Sequence, residues 1–510
     1  MEVRLLRNAA RQYPCARPFV LSPRAAKIGT VEFQADGVNN VNKATEATVD
    51  FIVGAKLGSF PAAVIREGRR CLIDGCAVIL AGCAAESSRI IRRELRQGAG
   101  RPEATVLGSD PMQAPARLAA LANATAGHAL DYDDTQLSSS PDRVFGLLTH
   151  PTVPALSASL AAGEKLGVSG AKFLEAFLTG FEVECKIAEA IKPDHYKRGF
   201  HSSGTIGTFG AAASAAKVLG LDWEHAARAV GIAASMASGI RVNFGTMTKP
   251  LHMGRAAENG VFAAELAADG FTADARALDG PWGFFQVFGG GYDADRIIGK
   301  LGNPYNIVDP GVSVKPYPCG SLGHPTMDAM LRIVTANDIQ PDRIRTVRIR
   351  AGSNILEPLR YRKAQNELEA KFCLPFMVSA IALRRRAGVR EFTDAFVRSE
   401  PVQKMMERVE LVTDREIEAL GFAKMRSRVE VELTDGRRIV ERAETYRGGP
   451  DRPFTLEELR GKFAECAEGV LPSPAVAQAL AAIESIENVR SIRDLARLLS
   501  NPNPAAEPAR

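Results

Sequence analysis

The feature that most constrains the fold is an unbroken succession of helical patterns from residue 44 to about residue 290. Segments such as NKATEATVDFIVGAKL, at 42–57, carry apolar residues at helical spacing behind a Thr/Glu start signal. Several later segments are rich in alanine and glycine, and such small residues allow close helix packing. No stretch in this region reads as a convincing strand. The pattern predicts a large all-helical domain, with the aspartates at 131–134 at or near a helix C-terminus.

The pattern changes near residue 300. RIRTVRIRAG, at 343–352, alternates as a strand does, and SRVEVELTDGRRIVERAE, at 427–444, reads as two strands joined by Asp-Gly. Helical patterns intervene at 324–337 and 368–386. We therefore expect a smaller α+β domain here, followed by helices that pack back on the first domain. The fold class is mainly α with a second α+β domain.

These patterns divide the 510-residue chain into five parts. Residues 1–43 form a leader that is either disordered or the result of a mis-assigned start codon. The helical domain covers 44–300 and the α+β domain covers 301–447. The C-terminal helices occupy 448–500, and 501–510 form a loose tail.

Charge and cysteine usage exclude some functions. The net charge is +5, but residues 1–44 hold seven basic and three acidic residues, which is +4 of that total. The nearly neutral remainder gives no case for nucleic-acid binding. No apolar run reaches the roughly 18–20 residues that a membrane span needs. Eight cysteines without a C-x-x-C motif are typical of reduced thiols, so we expect a cytoplasmic protein.

All seven histidines lie between positions 128 and 324, and most stand in polar, Gly- or Pro-rich stretches. His195, in a charged loop, is expected to lie at the surface, and His225, in an amphipathic helix, is expected to be structural or exposed. The other stretches, in chain order, are GHALDYDDT, LTHPTVPAL, RGFHSSGTIGTFGAA, TMTKPLHMGRAAENG and VKPYPCGSLGHPTMD.

Singly, each stretch is explained as well by helix capping or by solvated side chains. Together they combine carboxylates with basic residues at helix entrances, and helix N-termini favour anions. This combination indicates a site for a small polyanion. A metal site is the alternative, because Asp and His cluster around metals. However, H-x-x-x-H, H-x-E and C-x-x-C spacings do not occur, and lysines accompany the histidines. The Gly-rich stretches follow no predicted strand, which argues against a nucleotide site.

These stretches, together with LEAKFCLPF and DGRRIVERAETYRGGPDRPFTLEELRGKF, resemble the MmgE/PrpD family in the same order from about residue 44 to 500. That family includes 2-methylcitrate dehydratase and cis-aconitate decarboxylase. The resemblance implies that the α+β domain at 301–447 acts as a lid. It also implies a homodimer, an active site in the cleft between the two domains, and no metal or organic cofactor. The segment QLSSSPDRVFGLL, at 136–148, is longer than we expect of the family and puts the substrate in doubt.

The resemblance also implies site residues. The catalytic set would be Asp131, Thr135, His150 and Lys249. The substrate-binding set would be His201, Lys315 and His324.

On this basis we expect a lyase that dehydrates a 2-methylcitrate-like acid, with a cis-aconitate-type decarboxylase or an epimerase as alternatives. The substrate is a small polycarboxylate held by Lys249, Lys315 and His201, and His150 moves protons while Asp131 orients it or shares the proton. Thr135 binds substrate or holds Asp131. Crowding among the aspartates is expected to raise the pKa of at least one carboxyl. A non-catalytic small-acid sensor is the remaining alternative.

Overall fold

The computed structural model describes residues 43–98, 100–136, 149–421 and 425–500. Residues 1–42 of the predicted leader, the segment at 137–148 that lengthens the loop, and the tail at 501–510 lie outside this part. Within it, the predicted fold class is confirmed: helices dominate, and one sheet of appreciable size lies in the C-terminal half.

The helices before residue 300 follow each other with short connections. They are α1 (Lys43–Gly54), α2 (Ala62–Gly82), α3 (Glu86–Gln97), α4 (Ala116–Ala129), α5 (Thr152–Leu166), α6 (Gly170–Ala190), α7 (Asp194–Lys197), α8 (Ser202–Thr205), α9 (Gly207–Leu219), α10 (Trp223–Met236), α11 (Thr248–Ala268) and α12 (Phe284–Gly289). Small residues permit close approach, as predicted: a Cβ on Gly254 of α11 would lie 2.1 Å from Thr125 Oγ1 of α4.

One hydrophobic core unites these helices with the end of the chain. It includes buried residues from Ala44 to Val314 and again from Phe454 to Leu499. The second group belongs to the three last helices, α20 (Leu456–Ala467), α21 (Ser473–Glu484) and α22 (Ile492–Leu498). Helix α20 packs against α2. The C-terminal helices therefore complete the core that the first helices begin.

A second hydrophobic core, from Tyr317 to Tyr446, belongs to the α+β part. Its helices are α13 (His324–Ala336), α14 (Ser353–Leu356), α15 (Glu367–Ala370), α16 (Leu374–Arg384), α17 (Asp394–Val397), α18 (Glu400–Met406) and α19 (Arg415–Ala419). Its sheet is formed by β5 (Ile344–Ala351), β6 (Val409–Thr413), β7 (Ser427–Leu433) and β8 (Arg438–Ala443), in the order β6-β5-β7-β8. The buried residues of β7 alternate along the strand, and that face packs on the core.

The predicted strands are confirmed as β5 and the β7–β8 hairpin, in which Gly436 has the positive φ (88°) of a tight turn. Strand β6, parallel to β5, was not predicted. The expectation of no strand before residue 290 is wrong in detail, because β1 (Ala104–Val106) pairs with β2 (Met112–Ala114). In addition, β3 (Thr135–Gln136) pairs with β4 (Val312–Ser313). Two- and three-residue strands are too short to show alternation.

In the part of the chain that the structure describes, no single helix is long and apolar enough to cross a membrane. Helices α2 and α3 meet that test only as a pair, and the chain bends by 79° between them.

Candidate active site

A cavity is lined by polar residues from the N-terminal part of the chain and by residues of the second core. Six of the seven residues predicted for the site line it: Asp131, Thr135, His150, His201, Lys249 and Lys315. Thr135 belongs to the short strand β3 and Lys249 to the first turn of α11, and the other four come from helix ends and loops. The structure thus gathers side chains that are up to 184 residues apart in sequence.

Asp131 stands at the centre of this group. Helix α4 ends at Ala129, and Asp131 turns the chain with a φ of 52°, a left-handed conformation that is unfavourable for most side chains. Its Oδ1 accepts from Lys249 Nζ at 2.9 Å and from Lys315 Nζ at 2.8 Å. Lys315 Nζ also donates to the Asp131 carbonyl oxygen at 2.9 Å. All three residues are buried, so this is a desolvated ion cluster.

A second buried pair, His128 and Asp133, contacts Lys249 through His128. The Asp133 carboxylate contacts His128 Nδ1 at 2.8 Å, and Lys249 Nζ lies 2.7 Å from His128 Nε2. An ammonium can only donate, so His128 Nε2 accepts and Nδ1 carries the proton that is donated to Asp133. The carboxylate of Asp133 therefore fixes the tautomer of His128, and His128 in turn holds Lys249. Neither His128 nor Asp133 was among the predicted site residues.

The three neighbouring aspartates are in different protonation states. Burial raises the pKa of Asp131, but Lys249 and Lys315 outweigh burial and hold it well below its usual range. In Asp133 burial is likewise outweighed, here by His128 and His150, so its pKa is lowered. Burial, followed by the charge of the neighbouring Asp74, raises the pKa of Asp134 to about 8. The expected raised carboxyl is therefore Asp134, which stays protonated near neutral pH.

His150 stands just before α5, as predicted from the His-Pro step. Its Nδ1 donates to the Asp134 carbonyl oxygen at 2.7 Å, and its main-chain N–H donates to Ser203 Oγ at 3.1 Å. The prediction that Asp131 orients His150 is wrong, since the ring is held by a main-chain oxygen and Asp131 is occupied by two lysines. Burial lowers the pKa of His150 to about 3, although Asp133 opposes this shift. The free protein therefore holds a neutral imidazole with a lone pair on Nε2.

Thr135 and His201 both line the cavity. In the described residues Thr135 Oγ1 contacts Ser321 Oγ (3.3 Å) and makes no hydrogen bond to Asp131. His201 precedes α8, and its Nδ1 lies 3.0 Å from His252 Nδ1. Burial lowers the pKa of His201 well below its usual value, and Lys249 adds to the shift. His201 can thus offer substrate a neutral ring, not the charge that the predicted carboxylate clamp assumed.

His324 does not line the cavity, which corrects its predicted place in the substrate site. It is fully buried, its Nε2 contacts the Cys319 carbonyl oxygen at 3.2 Å, and its ring packs edge-on against Tyr317 and Tyr446. Its proximity to Lys315 in sequence does not bring the ring to the cavity wall. The expectation that His195 is exposed is also wrong, because its ring is buried against Phe200.

Four buried lysines converge on the turn at 128–132. Besides Lys249 and Lys315, Lys371 donates to the Ala129 carbonyl at 3.0 Å and Lys462 donates to the Tyr132 carbonyl at 2.9 Å. Carbonyl oxygens at a helix C-terminus are unsatisfied and attract cations. The four ammonium groups thus offset the negative charge of the aspartates and of the α4 C-terminus.

Apolar side chains form the remaining wall, and the sequence analysis did not identify them. Phe244 and Phe372 stack with centroids 5.7 Å apart, and Lys249 Nζ lies 5.3 Å and 5.6 Å from their ring centroids. Leu322 and Leu359 also line the cavity. The cavity therefore combines a charged floor, formed by Asp131, Lys249 and Lys315, with apolar side chains on its wall. This arrangement is typical of small-molecule sites.

The described residues include one group that could hold a metal: His128, Asp133 and His150 offer ligand atoms within 4.8 Å of one another. The hydrogen bonds do not favour that use. Nδ1 of His128 and Nδ1 of His150 both donate in this arrangement, and Nε2 of His128 accepts from Lys249, so only Nε2 of His150 keeps a free lone pair. A metal bound through both Nδ1 atoms would have to displace two protons beside the Lys249 ammonium.

Family models and curated relatives match this architecture. The model of the MmgE/PrpD N-terminal domain matches residues 46–297, and that of the MmgE/PrpD C-terminal domain matches residues 317–488. Cis-aconitate decarboxylase of Mus musculus is 27% identical over 474 residues, which cover 90% of this chain and 94% of that protein. The Homo sapiens protein of the same name is 27% identical, with 90% and 95% covered. Cis-aconitate decarboxylase-like protein oryM of Aspergillus oryzae is 25% identical, with 89% and 97% covered.

Proposed function

Because the chain belongs to the MmgE/PrpD family, we propose that it is a lyase acting on a small polycarboxylic acid by acid–base chemistry, without a metal or organic cofactor. The relatives named cis-aconitate decarboxylase favour decarboxylation of a cis-aconitate-like acid. Dehydration of a 2-methylcitrate-like acid, the first expectation from the sequence, stays a prediction that the same experiment tests.

The observation that carries the proposal is the pair of buried lysines on Asp131. An ammonium has three N–H donors, and in the described residues Lys249 and Lys315 each use two. Each therefore has one donor left, and both line the cavity. A substrate carboxylate that accepts both donors would be fixed without any rearrangement of the site.

The same donors suit the charge that develops in the reaction. In decarboxylation of cis-aconitate, the bond to one carboxylate breaks and CO₂ leaves. Its electron pair moves through the adjacent double bond to the carbon beside a second carboxylate, where a proton is then added. Negative charge accumulates on that second carboxylate in the transition state, and preorganised donors in a dry site stabilise it. Loss of one such donor typically costs about 10²–10³ in rate.

His150 is the proton carrier in this proposal. A bound polyanion favours the protonated imidazole and so raises the pKa of His150 from its low value in the free protein. The proton on Nε2 can then pass to the carbanion, while Nδ1 stays bonded to the Asp134 carbonyl. In a dehydration the same nitrogen would work in reverse and remove a proton beside a carboxylate.

The test is proton NMR in D₂O with EDTA present, on purified protein and a panel of cis-aconitate, citrate, 2-methylcitrate and related hydroxy acids. Itaconate carrying one deuterium from solvent is the expected product of cis-aconitate. An alkene signal from a hydroxy acid would establish dehydration instead, and deuterium exchange alone would indicate epimerisation. Binding without turnover of any acid would favour the small-acid sensor and contradict the proposed lyase.

The same test is applied to the variant Asp131→Asn, with Lys217→Met as its matched control. Asn keeps the shape of Asp131 but removes the charge between Lys249 and Lys315. Lys217 is equally buried but donates to the Val53 carbonyl, away from the cavity. We expect turnover to be lost in the first variant and kept in the second.

A further inference from the structure

A buried lysine from the C-terminal helices, Lys462 of α20, contacts the residues that carry the charged groups without lining the cavity. Its ammonium donates to the Tyr132 carbonyl at 2.9 Å and to the Lys315 carbonyl at 3.0 Å, and it forms an ion pair with Asp74, whose Oδ1 lies 2.6 Å away. Its Nζ also lies 3.8 Å from the centroid of the Tyr132 ring. Two main-chain oxygens and one carboxylate therefore surround the ammonium.

The two carbonyl acceptors belong to the parts of the chain that carry the charged floor. Tyr132 follows Asp131, and Lys315 itself supplies the ammonium that bonds Asp131 Oδ1. Lys315 also lies between Val314, in the first core, and Tyr317, in the second. One ammonium therefore ties together the main chain on both sides of the Lys315–Asp131 contact.

The contacts of Lys462 support the backbone conformation of Asp131. The left-handed φ of 52° is unfavourable for a residue other than glycine, and it persists only where the surroundings hold it. Lys462 is 5% exposed and Asp74 1% exposed, so these contacts are largely shielded from solvent. A buried ammonium held by two carbonyls and an ion pair is a rigid support, and its removal frees the turn that carries Asp131.

We infer that Lys462 is a positioning residue for the proposed reaction: it holds Asp131 and Lys315 in register without touching substrate. The expected loss of rate rests on the proposed function, whereas the expected change in the Lys315–Asp131 distance does not. A misplacement of about 1 Å in a catalytic group can cost about 10²-fold in rate.

The experiment compares Lys462→Met, Lys462→Gln and the double variant Lys462→Met with Asp74→Asn. The double variant leaves no unpaired carboxylate in the core, so it tests the tie even if the single Met variant does not fold. We expect kcat/KM for the substrate found by NMR to fall about 10- to 100-fold in the folded Met variants. Gln, which still donates two hydrogen bonds, is expected to recover part of that loss. Lys217→Met, another buried lysine, is expected to keep the wild-type value.

Thermal melts and a crystal structure of the double variant separate this inference from the proposed function. We expect the Lys315 Nζ–Asp131 Oδ1 separation to grow beyond hydrogen-bond distance from 2.8 Å. If the wild type converts none of the acids, the proposed function fails. The distance alone then decides whether Lys462 positions Asp131 and Lys315. A folded double variant with unchanged geometry or with kcat/KM within threefold of wild type overturns the inference. Failure of all Lys462 variants to fold assigns the lysine to stability and also overturns it.

Discussion

Replacing Asp133 with Asn tests whether a residue outside the cavity sets the behaviour of one inside it. Asp133 receives the Nδ1 proton of His128, which leaves His128 Nε2 free to accept from Lys249 at 2.7 Å. The side-chain amide of Asn can donate to Nδ1, and His128 then moves its proton to Nε2. Two donors would face each other between His128 and Lys249, and Lys249 would lose one of its two acceptors.

The size of the effect follows from the bond that is lost. A hydrogen bond to a charged group contributes about 1.5–3 kcal/mol, and each 1.4 kcal/mol is about tenfold in rate. If Lys249 stabilises the transition state more than the bound substrate, kcat/KM should fall about 10- to 150-fold. Asp131 still accepts from Lys249 at 2.9 Å, so the lysine stays in the site and the loss should not be total.

The assay measures initial rates of product formation by NMR, together with the histidine tautomers by ¹⁵N NMR of histidine-labelled protein. Asp222→Asn is the matched control, because Asp222 also bonds a histidine Nδ1, that of His225 at 2.6 Å, but on the exposed surface. Asn remains a good N-cap for α10, so this control should fold normally.

Two results would refute the reasoning for Asp133→Asn. One is a His128 that keeps its proton on Nδ1 in the variant. The other is a tautomer that changes while kcat/KM stays within threefold of wild type, since Lys249 would then not depend on His128.

Three further outcomes are expected. Lys315→Met should lower kcat/KM about 100-fold or more by removing a cavity donor, while Lys217→Met should not; equal losses in both would show a general effect of removing a buried charge. For Asp134, whose pKa is raised to about 8 from 3.8, stability is present below the unfolded pKa and is lost as pH rises through 8. Urea titrations should therefore show wild type losing about 2 kcal/mol more than Asp134→Asn between pH 6 and pH 8; parallel curves would contradict a protonated Asp134. Incubation with EDTA should leave turnover unchanged, whereas a loss that one divalent cation restores would assign a metal to the His128–Asp133–His150 group.

The sequence allowed the fold class and six of the residues that line the cavity to be predicted. His150 and Lys249 stand at helix starts next to a proline, and helix ends are the part of a helical protein that a sequence marks most clearly. Helix packing then brings these ends to one place. The β7–β8 hairpin was also predictable because its turn residues and its alternation agree.

The other residues of the site depend on tertiary contacts that no local sequence pattern indicates. The His128–Asp133 pair forms only because the chain turns back at Asp131 with a positive φ, which no motif announces for an aspartate. Lys462, in LEELRGKFAEC, reads as part of the polar face of an amphipathic helix, yet the structure buries it. His324 shows the converse error, because closeness in sequence to Lys315 suggested a shared site that the turn between them does not form.

The position of α20 in the chain has a consequence for biosynthesis. Synthesis proceeds from the N-terminus, and domains generally fold as units during it. The helices before residue 300 and the α+β part can both emerge while Asp74, Tyr132 and Lys315 still lack the ammonium of Lys462. A ribosome that stalls before residue 462 would therefore release a chain with most of its helices and an unfinished site. The site therefore gains the support of Lys462 only after α20 has been synthesised.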